Sequence, residues 1–526
     1  MLWKQLWQRK TLEAILAEEK DAKLERQLTL LDLIAIGIGG TVGTGVFATT
    51  GLIIANSAGP AAVVSWILGG FVCLLNGFAY MELSCIIPSS GSTYAYAYHA
   101  LGELPAAIAG WLLFLEYGIS GAGVARSWGL KVQLFAQSMF PEYSFQWLNE
   151  DYYSLASVVV QGISVVIMIF GLPIGKKFVN FVTFVKVCLV LFIISAGLAV
   201  YNPVNMTPFL PTQYGERGLM LGVTQAFFGY IGFDEVCCLA AEAKNPQAVM
   251  PKAVIGTILG TMILSTMASL TLAGMQPCED IVDFATAFEV NQLPSAAMIV
   301  RVGEILTMPV VVLISFLAQP RVTYAMAIDG LLPPIFAKVD AHGNLLDGTL
   351  IAGALCTVVA LVVPFEHLWD LISFAILVAF NMSNTSLILL RTRAESNHSV
   401  VPLVILAGTS MFTLQYSGDS TVWLVIALLQ IVGVIVASTQ LKMATPSLDE
   451  KIFRVPCMPW LPVLAMTLNW YLVSQMALET LVLGLAWMVL GALSYFMYGY
   501  SHSIHRERNP FIASPPHSHE LHPLIL

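Results

Sequence analysis

"IAIGIGGTVGTGVFATTG", residues 34–51, lies in the first long apolar run of the chain, and five of its residues between 37 and 45 are glycines. Each glycine in a helix interior costs roughly 1 kcal/mol relative to alanine. The spacing GxGGxxGxG follows no strand, so it is not a dinucleotide fingerprint. Gly39 and Gly43 alone would make a GxxxG packing face. That leaves Gly37, Gly40 and Gly45, with Thr41 and Thr44 among them, unexplained. A deliberate interruption of a membrane-spanning helix accounts for all of them. Backbone groups freed in mid-membrane cannot face lipid, but they can line a site. A half-helix starting near Val46 would aim its positive end at an anion such as a carboxylate, with the Thr44 hydroxyl as a further donor.

The rest of the chain supports a membrane setting. Of 526 residues 57% are hydrophobic and only 11% charged, and the mean hydropathy is +0.77. A soluble protein of this size carries about 25% charged residues. Apolar runs of about 20 residues recur from Leu31 to Tyr500, and their number predicts about fourteen spans. They lack the ten-residue alternation of a barrel, so the class is all-α and integral to the membrane. The segment before residue 31 is charged and amphipathic, without the h-region of a signal peptide. Trp3 and Trp7 share one face of it. Lys and Arg fall mostly in the segments that an inside N-terminus and fourteen spans place in the cytoplasm, and both termini are read as cytoplasmic. The loops assigned outside hold Arg217 and Lys131 against an acidic excess, including Asp280 and Asp283. Asn205 begins a glycosylation sequon in one of these loops. Cysteine and histidine spacing suggests no metal site, and no cofactor motif is present. The absence of a P-loop and of clustered catalytic side chains argues against a pump or an enzyme.

An inverted-repeat carrier needs a second broken helix five spans after the first. The sixth run contains "FFGYIGFDE", where Gly229 and Gly232 interrupt the helix ahead of Asp234 and Glu235. Carbonyls freed at Phe228 and Ile231, beside that of Thr41, could accept bonds from an α-ammonium. Phe228 or Tyr230 could close the pocket as an aromatic gate, with ordinary core packing as the alternative.

These stretches carry a resemblance. "LTLLDLIAIGIGGTVGTGVF", "GFDEVCCLAAEAKNPQAVMP", "QPRVTYAMAIDGLLPPIFAKV" and "FRVPCMPWLPVLAMTLNWYL" resemble motifs of the amino acid/polyamine/organocation permease superfamily, and more narrowly of its cationic amino acid transporters. Ala241, Ala243 and Ile328 depart from the usual pattern. The resemblance implies a five-plus-five inverted repeat of the LeuT type with about four further C-terminal spans. The implied divisions are 1–30 cytoplasmic, 31–200 first repeat, 219–390 second repeat, 400–500 accessory helices and 501–526 cytoplasmic tail. It places the substrate carboxylate at Thr44 and Gly45 and the ammonium at carbonyls of Thr41, Phe228 and Ile231, around Gly229. It also makes the residue six before Arg321, Ser315, the position that leaves room for a long basic side chain such as arginine, lysine or ornithine.

Three buried charges complete the reading. Lys186 lies near the centre of its run, roughly 15 Å from either end, where snorkelling cannot rescue it. On insertion scales a charge there costs at least about 2.5–3.5 kcal/mol. It must face protein, find a partner or lose its proton. The resemblance aligns it with a lysine that replaces the coupling cation in some permeases, which suggests proton coupling; a fixed strut to carbonyls near Ile36–Gly39 is the alternative. Glu116 and Asp234 are expected to serve a gating or pocket role. The expected partners are an amino acid, protons and the lipid bilayer, with no nucleic acid. The plasma membrane is the expected location, with a vacuolar or lysosomal membrane as alternative because "ELHPLI", 520–525, resembles a dileucine sorting signal. A neutral amino acid carrier of the same fold and a non-transporting amino acid sensor are the alternative functions.

Overall fold

The computed structural model describes residues 5–21, 26–150, 152–169, 176–339, 345–393, 399–418, 420–444 and 452–504. Trp3 and the tail stretch 520–525 lie outside the described residues. Among the described residues the regular structure is helical, and extended pairing is confined to isolated bridges at Leu28–Ala243, Asn149–Ser154 and Thr392–Met443. Helices are what a bilayer demands, because they satisfy every backbone polar group within one segment.

The principal helices are α1 (Leu30–Val42), α2 (Ala62–Ile86), α3 (Glu103–Met139), α4 (Leu155–Ile169) and α5 (Lys176–Ala199). They continue with α6 (Gly215–Ala226), α7 (Phe233–Cys238), α8 (Pro246–Met275), α9 (Pro294–Ile328) and α10 (Leu346–Val362). The last are α11 (Phe365–Arg391), α12 (Val400–Gln415), α13 (Thr421–Gln440), α14 (Trp460–Ser474) and α15 (Leu478–Ser494). Among the described residues eight helical segments are long and apolar enough to cross a membrane. One of them, Leu30–Ile86, has 57 residues, about 85 Å of helix against a hydrocarbon core of about 30 Å. It turns back at Gly59, where φ is 59°, and Pro60 then starts α2.

Local chemistry sets the starts. Thr29 caps α1 in a reciprocal box with Asp32, and Asp32 also accepts from the Asn180 amide of α5 at 2.8 Å. Pro246 and Pro294 occupy the first turns of α8 and α9, where a missing N–H costs nothing. α8 packs along both α1 and α2, and α3 lies against α4 and α9. The side chains of α13 stay exposed on most of its surface, as a lipid-facing helix requires. A buried cluster of asparagines joins α14 to α2 and α11: Asn469 donates to Asn76 at 2.8 Å and to Asn381 at 2.9 Å, and Asn384 donates to Asn76 at 2.7 Å. Both described ends of the chain meet at one face of the bundle, where the Gln5 amide donates to the Tyr500 carbonyl and the Ile504 N–H to that of Asp329.

Candidate functional site

The glycine-rich stretch does not unwind as expected. After Val42 the helix widens into a π-helical stretch, Gly43–Thr49, and α-helix resumes at Thr50 rather than starting afresh near Val46. Widening satisfies most backbone groups while still disturbing the ladder. The carbonyl of Gly45 then accepts two hydroxyls, from Thr49 at 2.8 Å and Thr50 at 3.1 Å. The Thr44 side chain lies outside the described residues.

The second interruption is a true break. α6 ends at Ala226, one 3₁₀ turn follows over Phe227–Tyr230, Ile231 leaves the helical region with ψ 122°, and Gly232 takes φ 144° before α7 begins. Only glycine enters that region at no steric cost. The two interruptions touch. A Cβ on Gly229 would lie 2.6 Å from Gly45 Cα and 2.4 Å from the Trp66 ring, and one on Gly232 would lie 2.8 Å from the Gly37 carbonyl oxygen and 2.7 Å from Thr41 Cγ2. Backbone therefore meets backbone where α1 and the α6–α7 break cross.

Polar side chains converge on this crossing. Lys186, 1% exposed, donates to the Gly39 carbonyl at 2.6 Å, and a Cβ on Gly43 would crowd its Nζ at 3.2 Å. Thr183 donates to the Ala35 carbonyl at 3.0 Å, so Asn180, Thr183 and Lys186 fasten one face of α5 to α1. The Thr41 hydroxyl pairs with that of Thr261 on α8 at 2.7 Å. Glu235 points its carboxylate at Gly40, whose Cβ would meet Oε2 at 3.1 Å. Glu116 lies in another π-helical stretch, Phe114–Ile119, and faces Asp234. Asp234 Oδ1 accepts from the Gly232 N–H at 3.2 Å. The other Asp234 oxygen and both carboxylate oxygens of Glu116 and of Glu235 have no hydrogen-bond partner among the described residues. Arg126 does not serve Glu116, since it donates to the carbonyls of Leu361 and Glu150. Ser315 is buried on α9 against Gly121 of α3, one turn from Gln319, while Ile314 packs beside Gly39 and Gly40.

The aromatic residues divide. The Phe228 ring meets Phe365 edge-on at 5.6 Å, Phe365 stacks on Trp369 at 5.9 Å, and the Trp369 indole donates to the Gln225 carbonyl at 2.9 Å. Tyr230 turns away from this group: its hydroxyl donates to the Trp66 carbonyl at 2.7 Å. It holds α2 against the break. Phe365 and Gln319 have no sequence signal, because a phenylalanine after proline and a glutamine before proline read as ordinary helix starts.

At the face opposite the chain ends, Lys131 lies within α3 rather than in a loop. It pairs with Asp283 at 2.8 Å and with the fully buried Glu304 at 3.2 Å. Asp283 also caps the short helix Phe284–Val290 through the Thr286 N–H. Burial alone would raise the Asp283 carboxyl; the Lys131 ammonium and the Thr286 N–H outweigh it and hold the group at about 2. The loop before it covers Gly51, where a Cβ would lie 2.6 Å from the Val282 carbonyl oxygen. Asn205 donates its amide to the Gly274 carbonyl at 2.9 Å, a bond that a glycan on that nitrogen would have to displace.

Comparison with known proteins gives the same picture. The family description "Amino acid permease" matches residues 28–468, and "C-terminus of AA_permease" matches 453–503. The methylthioribose transporter of Bacillus subtilis (strain 168) is 34% identical over 82% of this chain and 96% of its own length. Cationic amino acid transporter 1 of Arabidopsis thaliana is 28% identical over 91% of this chain and 83% of its own, and the branched-chain amino acid permease BcaP of Bacillus subtilis is 28% identical over 95% and 98%. With its interrupted helices, its buried charges and a family match running through all but the extremities, the chain belongs to the amino acid permease family of membrane transporters.

Proposed function

We propose that this protein is a secondary carrier that moves amino acids, with cationic ones preferred, across a membrane by alternating access. The observation that carries the reading is the crossing at Gly45 and Gly229, where two interrupted helices bring main chain within contact of main chain. Such paired interruptions are the binding geometry of inverted-repeat transporters. In this reading α1–α5 and α6–α11 are the two five-span repeats, the remaining helices are accessory, and the face bearing the chain ends is cytoplasmic. The π-helical stretch of Thr44 and Gly45 receives the carboxylate. Carbonyls of Thr41, Phe228 and Ile231 receive the ammonium, and Phe228 with Phe365 closes the outer side.

Three buried carboxyls, those of Glu116, Asp234 and Glu235, support a cationic substrate, because a basic side chain or a proton supplies the positive charge they lack. The small Ser315 leaves room for its length. Lys186, bonded to the carbonyl beside the first interruption, is placed to sense whether that stretch is occupied, and its release of a proton would couple uptake to a pH gradient.

The test is uptake into proteoliposomes of labelled arginine, lysine and alanine, with and without an inward proton gradient and with excess methylthioribose as competitor. Arginine and lysine uptake that the gradient drives above equilibrium supports the proposal. Uptake of alanine unaffected by lysine points to the neutral carrier, loss of uptake to methylthioribose points to a sugar thioether substrate, and saturable binding without uptake points to a sensor.

A further inference from the structure

Residues 7–10, ahead of α1, are held against the bundle at two points. The Trp7 main chain rests on Gly102, where φ is 121° and a Cβ would lie 2.8 Å from it. The Lys10 N–H donates to the Tyr98 carbonyl at 3.2 Å, and its buried ammonium pairs with Asp329 at 2.6 Å and with Glu18. Arg9 lies between these anchorages and behaves differently from its neighbour. It is exposed, and among the described residues its guanidinium makes no ion pair or hydrogen bond. A cation fixed in place without an anion asks what it is for.

Arg9 and Trp7 border a groove. A cavity of about 240 Å³ lies between Leu389 on α11 and Val401, Val404 and Ile405 on α12, and the two residues complete its lining. α11 ends at Arg391 and α12 starts at Val400, so the walls are the last turns of one helix and the first turns of the next. The groove therefore begins at the membrane surface and follows α12 inward; Val400 to Ile405 spans about 7.5 Å of helix. Val401 is 61% and Ile405 58% exposed, as side chains that face hydrocarbon are. Trp7, half exposed, stands where an interfacial aromatic belongs.

The lining decides what can enter. Water needs two or more polar partners to stay in a cleft. The Thr385 hydroxyl, which also lines the groove, already donates to the Asn381 carbonyl at 2.7 Å. The rest of the wall is apolar, so an acyl chain fits and water does not. No carboxylate lines the groove among the described residues, and Arg393, two residues past the end of α11, is a second exposed cation at this surface. A headgroup ammonium would find no side-chain acceptor here, whereas a phosphate suits the fork of a guanidinium.

We infer that this groove is a site for one anionic glycerophospholipid from the leaflet on the side of the chain ends. Its phosphate sits on Arg9, its glycerol beside the Trp7 indole, and one acyl chain between Leu389 and the valine and isoleucine face of α12. The site lies on the outer surface of the bundle, away from the crossing at Gly45 and Gly229, so it holds whatever the substrate proves to be.

The test is native mass spectrometry of the full chain, delipidated in detergent and mixed with dioleoylphosphatidylglycerol or dioleoylphosphatidylcholine. The native protein is expected to retain one phosphatidylglycerol at least fivefold more than phosphatidylcholine. Arg9→Gln should lower phosphatidylglycerol retention at least fivefold and leave phosphatidylcholine unchanged, and Arg9→Lys should keep more than half. Val404→Phe, which fills the groove, should lower retention of both lipids. Arg217→Gln, at an exposed arginine of α6, is the control and should match the native protein. Arg9 and Val404 are not part of the buried core, and unchanged melting temperatures in detergent check that the variants fold. Equal retention of the two lipids by the native protein overturns the inference, as does native phosphatidylglycerol retention in Arg9→Gln. So does displacement of the lipid by millimolar inorganic phosphate, which marks a soluble-anion site. So does a second copy of the chain retained in place of lipid, which assigns the groove to self-association.

Discussion

At the level of single residues, the crossing tolerates nothing larger than hydrogen. A Cβ on Gly45 would lie 2.8 Å from Gly229 Cα, inside any real contact. Gly45→Ala and Gly229→Ala are each expected to cost about 1–3 kcal/mol by overpacking, seen as a lower melting temperature in detergent. Gly162, whose added Cβ meets nothing within 4 Å in the middle of α4, is the control, and Gly162→Ala is expected to leave melting unchanged or raise it. Lys186 makes a second prediction. Lys186→Ala removes the donor to the Gly39 carbonyl and the amine proposed to release the proton together, so accumulation driven by a proton gradient should vanish while exchange of internal for external substrate persists. A variant that still concentrates substrate with native pH dependence would leave the lysine as a strut. These positions were legible in the sequence because glycine clusters and a mid-membrane lysine are costly and demand a reason. Gln319 and Phe365 were not, since their partners Gly118 and Phe228 lie far away in the chain.

At the level of elements, the two interruptions differ although both are glycine-rich. Gly232 sits at φ 144° and stops its helix, whereas Gly43 and Gly45 lie in a stretch that only widens. The reason is local. Thr49 and Thr50 satisfy the displaced Gly45 carbonyl with their hydroxyls, so the first helix can bulge without opening, and no comparable pair follows Gly229. Glycine content signals weakness in a helix but not which of the two outcomes follows; hydroxyls four and five residues on decide it. The buried asparagines make the prediction at this scale. Asn76 accepts from Asn384 and Asn469 and donates to Asn469, tying α2 to α11 and α14. Asn76→Ala strands those amides and should destabilise the protein by about 1–3 kcal/mol. Asn469→Ala should do the same and additionally loosen α14, measurable as faster hydrogen exchange in Trp460–Ser474 than in α8. Asn381 and Asn384 sit in sequons, and their burial in this cluster explains why those matches carry no glycan meaning.

At the level of the whole molecule, each face has its own fastening: Lys10 with Asp329 on one, and Lys131 with Asp283 and Glu304 on the other. The second lies outside any sequence signal, because its members come from α3, a connecting loop and α9. Asp283 is held at about 2 against roughly 3.9 in an unfolded chain. A depressed carboxyl contributes stability that is fully present above the unfolded value and lost as pH falls toward the folded one. Asp283→Asn should therefore destabilise the protein at pH 7 by about 2 kcal/mol, read as a lower melting temperature, and the gap to the native protein should close between about pH 4 and pH 2. A gap that closes near neutrality would assign the effect to another group. All-α architecture and the membrane setting followed from composition and apolar run length alone, whereas the pairing of distant ends did not, since nothing local marks residues 5 and 500 as neighbours.

That neighbourhood bears on anyone handling the protein. Gln5 holds Tyr500, Ile504 holds Asp329, and Gly330 lies against the His502 main chain. An affinity tag or fluorescent fusion attached close to residue 5 or residue 504 would strain the contacts that tie these distant stretches together. Long spacers, or labels placed in the loop between α12 and α13, would spare them.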